Sequence, residues 1–193
     1  MKSKESAIIK FLIENKNEEL NILRISKAMK MDYKNVYSII KRLENISLIK
    51  IETFGQSKRV KLNALVYPLI FEAEFERRKE LLRDKTLTVM LTNFKRGIKS
   101  KLYVLLLFGS YAKKTQTKSS DIDLMFICSD GLEYAFEKEV SRIARSMPLP
   151  LHPLVFSESQ FLGMINAKES NVVQEALKDN VILYGMEQYY EMV

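Results

Sequence analysis

The sequence predicts an α+β protein in three parts. These are a basic helical module with a β-hairpin over residues 1–65, a helical connector over 66–99, and a small mixed-sheet module with helices on one face over 100–193. Two patterns predict it. Apolar residues recur at helical spacing up to about residue 45 and then alternate, and beyond a stretch almost free of breakers, apolar strand-like runs take turns with amphipathic segments. The charge divides at the same boundary. Residues 1–65 hold 14 Lys and Arg against 7 Asp and Glu, whereas 66–193 hold 17 of each, so the net charge of +7 sits entirely in the first module.

Of the 193 residues, 47% are apolar and 28% charged, which excludes a disordered or collagen-like chain. The single cysteine, Cys128, closes the apolar run Leu124-Met125-Phe126-Ile127, so one chain can build neither a disulfide framework nor a cysteine-rich zinc site. It reads as buried packing. The N-terminal segment is amphipathic and broken by Lys10 and Glu14, and the longest strongly apolar run is residues 103–108. Neither fits a signal peptide or a membrane span, so the expected location is the cytoplasm, without a membrane partner.

In the first module, Ile8, Phe11 and Leu12 form one helical stripe and Ile22, Ile25 and Met29 a second. Val36, Ile39, Ile40 and Leu43 form a third with i, i+3, i+4, i+7 spacing. Asp32 is suited to cap the third helix across a short turn from the second. Ile49 and Ile51 then alternate with Lys50 and Glu52. After the turn Phe54-Gly55-Gln56-Ser57, Val60 and Leu62 alternate with Arg59 and Lys61, which is a hairpin pattern.

Three helices and a hairpin over residues 4–64 resemble the winged helix-turn-helix of prokaryotic transcriptional regulators. With the third stripe turned inward, Asn35, Tyr37, Ser38, Lys41 and Arg42 point outward, a face suited to a DNA major groove. Lys58 and Arg59 at the hairpin could reach phosphates beside it. Residues 34–61 hold seven Lys and Arg against two acids. The alternative is a solvated face on a protein-docking or dimerisation module.

The connector carries Ile70, Phe71, Phe75, Leu81 and Leu82, then Leu87, Met90, Leu91 and Phe94, at helical spacings, with Lys, Arg and Glu on the other faces. One long helix or two abutting ones satisfy this pattern. Such a connector either covers a sheet face or forms a dimer seam, and the second use implies a homodimer.

The third module opens with the strand-like run 102–108, which ends at Gly109-Ser110. Ten residues separate that serine from Asp121-Ile122-Asp123, and a second apolar run follows. Residues i and i+2 of a strand share a face, so Asp121 and Asp123 present paired carboxylates. Their mutual repulsion calls for a cation, and hard oxygen donors beside phosphates suit Mg²⁺. Gly109 permits close approach of a phosphate to the backbone, and Ser110 adds a hydroxyl and an N–H where an anion is favoured.

The run Gly109-Ser110-Tyr111-Ala112-Lys113-Lys114 through Ser120-Asp121-Ile122-Asp123-Leu124 resembles the signature of DNA polymerase beta-like nucleotidyltransferases, in their minimal branch. The resemblance covers residues 85–185. It implies that Gly109, Ser110 and Lys113 hold a nucleoside triphosphate, that Asp121 and Asp123 bind Mg²⁺, and that a hydroxyl attacks the α-phosphorus. It also implies a pairing with small helical HEPN-type partners, as toxin and antitoxin, with AMP carried to a tyrosine.

Two departures stand out. Lys114 replaces a glycine usual in the family, which puts the turn after Ala112 in question. The strand expected to carry a third carboxylate, residues 151–156, has none, and His152 stands near its place. His152 either ligates a metal or takes a proton, or is an exposed residue at a strand start with no catalytic part. Glu158 reads as the first turn of a helix capped by Ser157. Tyr189 and Tyr190 in the tail read as surface packing or disorder rather than as a platform on which a base stacks. Two functions follow as expectations. One is a nucleotidyltransferase addressed by a DNA-binding module; the other is a DNA-binding regulator whose nucleotidyltransferase domain only binds a nucleotide or a partner.

Overall fold

A computed structural model describes residues 3–54 and 57–193, and these divide into two compact units, one up to Glu76 with Val193, the other Arg77–Met192. The turn expected at Gly55-Gln56 lies outside the described residues. Helices and two sheets make up a mixed α+β architecture.

The first unit begins with α1 (Lys4–Glu14), α2 (Ile22–Met29) and α3 (Tyr33–Asn45). Side-chain oxygens start all three. Ser3 accepts from the Ser6 amide, Asn21 from Arg24, and Asp32 from Lys34 and Asn35, satisfying donors that have no partner inside a helix. Ile8, Ile9, Leu12, Ile25, Val36, Ile40 and Leu43 bury the inward faces. The first stripe is thus rotated by one residue from the expected one. Ile9 and Ile13 are in the core and Phe11 is half-buried. Strands β1 (Ile49–Phe54) and β2 (Ser57–Leu62) pair antiparallel, Ile51 opposite Val60 and Glu52 opposite Arg59. The Val60 amide donates to the Leu20 carbonyl, 2.7 Å, which ties the hairpin to the segment before α2.

Of the two arrangements open to the connector, the structure has two helices, α4 (Pro68–Leu81) and α5 (Lys85–Gly97), because Asp84 accepts from the Thr86 and Leu87 amides and starts a new helix. Along α4 the buried positions are Ile70, Ala73, Glu74 and Arg77, whereas Phe75 is exposed. The i, i+3, i+4, i+7 geometry of those four overrides the polar reading of Glu74 and Arg77.

In the second unit, Arg77 Nη2 donates to the Asn180 carbonyl, 2.6 Å, and Arg78 Nη1 to that of Leu183, 3.1 Å. Burial pushes the Arg78 guanidinium below its ordinary value. The sheet contains β3 (Tyr103–Phe108), β4 (Ile122–Cys128), β5 (Leu151–Ser157) and β6 (Asn180–Tyr184) in the order β5-β4-β3-β6. It is mixed, since β4 runs parallel to β5 while β3 is antiparallel to both β4 and β6.

One face packs Tyr103, Leu105, Leu107, Leu124, Phe126 and Cys128 against Leu87, Met90, Leu91 and Phe94 of α5 and Phe136, Val140 and Ile143 of α7 (Glu133–Arg145). The apolar stripe of α5 is therefore core of this unit. The intervening residues Val104, Leu106, Met125 and Ile182 are buried too. α8 (Glu158–Ile165) packs on β4 and β5, and α10 (Met186–Met192) on β3. Helices on one face, as the sequence predicts, thus give way to a central pair of strands covered on both, which is why β3 and β4 read as continuous apolar runs.

Tyr189 and Tyr190 correct another expectation. Both are buried, packed edge to face at 5.3 Å, and Tyr189 Oη accepts from Asn180 Nδ2. Ser157 caps α8 as expected, and Gln160 completes a capping box with it. Among the described residues no helix is long and apolar enough to cross a membrane.

Candidate nucleotide site

β3 delivers the chain to α6 (Gly109–Lys113), a short helix that starts as the strand ends. Gly109 takes φ +68° there, and a Cβ at this position would overlap Oδ2 of Asp123. Only a glycine lets the turn and the carboxylate share this space. Phe108, at the N-cap, contributes no side-chain cap, so the leading N–H groups of α6 receive nothing from it. Ser110 is half-buried, and Lys113 is exposed on the last turn.

Lys114 resolves the departure noted in the motif. Its φ of 58° and ψ of 32° are the left-handed conformation that glycine adopts freely, and its amide donates back to Tyr111. The turn keeps the shape that a glycine would give, at a backbone cost of about 1–2 kcal/mol.

Register brings the second half of the motif to the same end of the sheet. Phe108 pairs with Asp123, and Asp123 pairs in turn with His152 across the parallel ladder. Nδ1 of His152 lies 3.2 Å from Oδ1 of Asp123, and the histidine side chain is 61% exposed against 26% for the aspartate. Asp123 is thus bounded on one side by the Gly109 backbone and on the other by an imidazole. Asp121 precedes β4 and is exposed. Near the same end lies α9 (Val172–Lys178). There the Glu175 carboxyl is held below its ordinary value, first by a hydrogen bond from Lys178 and in smaller part by the Lys113 charge. Glu158 lies in the capped first turn of α8, as expected.

Among the described residues, no three His, Cys, Asp or Glu side chains converge as a ready cation cage. The donor chemistry still fits Mg²⁺, which is held through one or two carboxylates plus substrate phosphates rather than by an all-protein cage.

In the first unit, Asn35, Tyr37 and Ser38 are exposed along α3, with Tyr37 stacked on Tyr33 at 6.3 Å. Lys58 is exposed on β2. The other expected basic residues are paired with acids. Lys41 Nζ lies 2.6 Å from Glu44, which raises its pKa by hydrogen bonding, and Arg42 lies 2.9 Å from Glu5. Arg59 is 3.6 Å from Glu19 and mostly covered. Sequence reasoning passed over Lys27, Lys30 and Lys34, which are exposed and have no acidic partner among the described residues. Lys34 was visible as the first basic residue after the Asp32 cap. Lys30 was not, because its place follows from the left-handed backbone that ends α2.

Comparison with known proteins bears on the second unit. Residues 94–189 match the family model Polymerase beta, Nucleotidyltransferase. No curated protein matches. A solved structure described as "Crystal structure of the toxin-antitoxin with AMP-PNP" is 24% identical, over 53% of this chain and 75% of that one, with a TM-score of 0.38. Residues 94–189, which include Gly109, Asp121, Asp123 and His152, are thus similar to the nucleotidyltransferase domain of the polymerase beta family.

Proposed function

We propose that this protein transfers a nucleoside monophosphate, AMP in the first instance, from a nucleoside triphosphate to a hydroxyl acceptor on a protein. The observation that carries this reading is the junction of Gly109 and Asp123, where the glycine turn and the second motif carboxylate occupy adjoining space at one end of the sheet. Ser110 and the opening N–H groups of α6 hold phosphate oxygens, and Lys113 adds positive charge beside them. Asp121 and Asp123 hold the cation that accompanies the triphosphate. Mg²⁺ bound there supplies charge neutralisation on the phosphates during in-line displacement.

The acceptor oxygen forms a bond to the α-phosphorus as the bond from that phosphorus to the pyrophosphate oxygen breaks. The hydroxyl proton leaves to His152 or to water at the exposed edge. The acceptor class rests on the resemblance to minimal nucleotidyltransferases, whose partners are small helical HEPN-type proteins. Incubation with labelled ATP, Mg²⁺ and such a partner tests the reading. Label moves to the partner with the native chain and not with Asp121→Ala; absence of transfer to any protein or small hydroxyl compound refutes it.

The first unit is read as a winged helix-turn-helix that addresses the domain to DNA. The capped α3 with exposed Asn35 and Ser38, and the lysines around the α2–α3 turn, support it. The regulator reading, in which the domain binds nucleotide without turnover, is favoured by one observation. An imidazole stands opposite Asp123 where active relatives have a carboxylate. Nucleotide binding without pyrophosphate release would select it.

A further inference from the structure

The distance between Asp123 and His152 carries more than a replacement of one residue type by another. Two donors in adjacent positions around an octahedral cation, with bonds near 2.1 Å, stand about 3.0 Å apart. Oδ1 of Asp123 and Nδ1 of His152 are 3.2 Å apart. The two atoms therefore present the bite of a chelate with almost no movement of either side chain.

The fold maintains that spacing. Residues 123 and 152 are paired Cα to Cα in the parallel ladder, and Gly109 limits where the aspartate can swing. The imidazole lies on β5, the edge strand, and is 61% exposed, which leaves it open to a cation from solvent.

Donor identity then bears on which ion is held. Carboxylate and phosphate oxygens suit Mg²⁺, whereas imidazole nitrogen suits first-row transition ions, which bind such mixed sites more tightly than Mg²⁺ does. We propose that Asp123 and His152 form a mixed oxygen and nitrogen chelate for a divalent transition-metal ion, selected there over Mg²⁺. This rests on the nucleotidyltransfer reading of the same site and deepens it. His152 then acts as a metal ligand and the hydroxyl proton leaves to water, the other of its two routes, while Asp123 serves the transition-metal ion and Asp121 is left to the Mg²⁺ of the triphosphate.

The test uses the full chain and Mn²⁺ as the probe, alone and with a non-hydrolysable ATP analogue. Bound Mn²⁺ is followed by its paramagnetic resonance, and coupling to a ¹⁴N nucleus reports nitrogen ligation independently of activity. The native chain is expected to bind Mn²⁺ at least tenfold more tightly than Mg²⁺ and to show ¹⁴N coupling. His152→Ala should lose the coupling and most of that preference. His152→Asp, which fits the same exposed position, should lose the coupling but bind Mg²⁺ within about threefold of Mn²⁺. Tight Mn²⁺ binding without ¹⁴N coupling, or a preference unchanged in both variants, overturns the assignment of His152 alone. Failure to bind either ion even with the analogue overturns the nucleotidyltransfer reading as well.

Discussion

Gly109 and Asp123 compete for one volume: a single methyl group on the glycine would overlap Oδ2 of the aspartate. Gly109→Ala therefore has two effects. The positive φ costs about 1–2 kcal/mol with a Cβ present, and the carboxylate must rotate away from the nucleotide end of the sheet. The expected result is a lowered midpoint of thermal unfolding together with a loss of ATP-analogue binding of tenfold or more. Gly163→Ala is the control. That glycine lies within α8 and its Cβ would meet nothing within 4 Å, so stability should rise by about 0.5–1 kcal/mol with nucleotide binding unchanged.

Lys114 makes the complementary case. Its left-handed backbone is strained for a lysine. Lys114→Gly removes about 1–2 kcal/mol of that strain and adds roughly 0.5–1 kcal/mol of chain entropy to the unfolded state. A net gain of about 0.5 kcal/mol should appear as a higher urea midpoint at unchanged slope. A drop in the midpoint would show that the lysine side chain contributes more than its backbone costs.

DNA binding by the first unit, if present, should not draw equally on its basic residues. Arg42 must leave Glu5 to reach a phosphate, whereas Lys34 is exposed beside the capped start of α3 with no acidic partner among the described residues. Titration of duplex DNA against salt should give a slope reduced by about 1 in Lys34→Gln, as expected for one lost phosphate contact. Arg42→Gln should change it by well under half as much. Equal effects would place the footprint toward the C-terminal half of α3.

Cys128 is buried, and desolvation first, then the charges of Glu133 and Asp130, push its thiol from the ordinary 9.0 up to about 11. At pH 8 the thiolate is then on the order of one part in a thousand. Ellman's reagent should leave the native protein unlabelled for hours and react within minutes in concentrated urea. The pH dependence has a definite sign. The unfolded thiol loses its proton first, so this contribution to stability is intact below about pH 9 and declines as pH rises toward 11.

Local chemistry was legible in the sequence where a few neighbouring residues decide it. Asp32 before α3, Ser157 with Gln160 at α8, and the alternation from Ile49 to Leu62 all specify their own hydrogen bonds or faces. Gly109-Ser110 and Asp121-Ile122-Asp123 could be read as one site because a hairpin of this length returns the chain to the same sheet end.

What the sequence did not reveal depends on partners far along the chain. The resemblance put His152 near the place of a third carboxylate, but its pairing with Asp123 needs the register of two strands joined through α7. The shape of the turn at Lys114 lies in a dihedral angle that its residue type argues against. Tyr189 and Tyr190 looked peripheral because Asn180, the hydrogen-bond partner of Tyr189, sits on a strand whose position in the sheet only the fold reveals.

Asn180 gives that last contact wider meaning. Its side chain donates to the carbonyl of Ala176 and to the hydroxyl of Tyr189, while its own carbonyl accepts from Arg77, so one buried residue fastens β6, α9, α10 and the end of α4. The second unit consequently extends well beyond the segment that carries the motif. A fragment trimmed to residues 100–185 would keep Gly109, Asp121, Asp123 and His152 yet lose the Arg77 and Tyr189 contacts of Asn180 and the Arg78 hydrogen bond to Leu183, and with them most of the side-chain hydrogen bonds that fasten β6, the strand that flanks the Gly109 turn. Work on the isolated domain should begin no later than Arg77 and run through Met192.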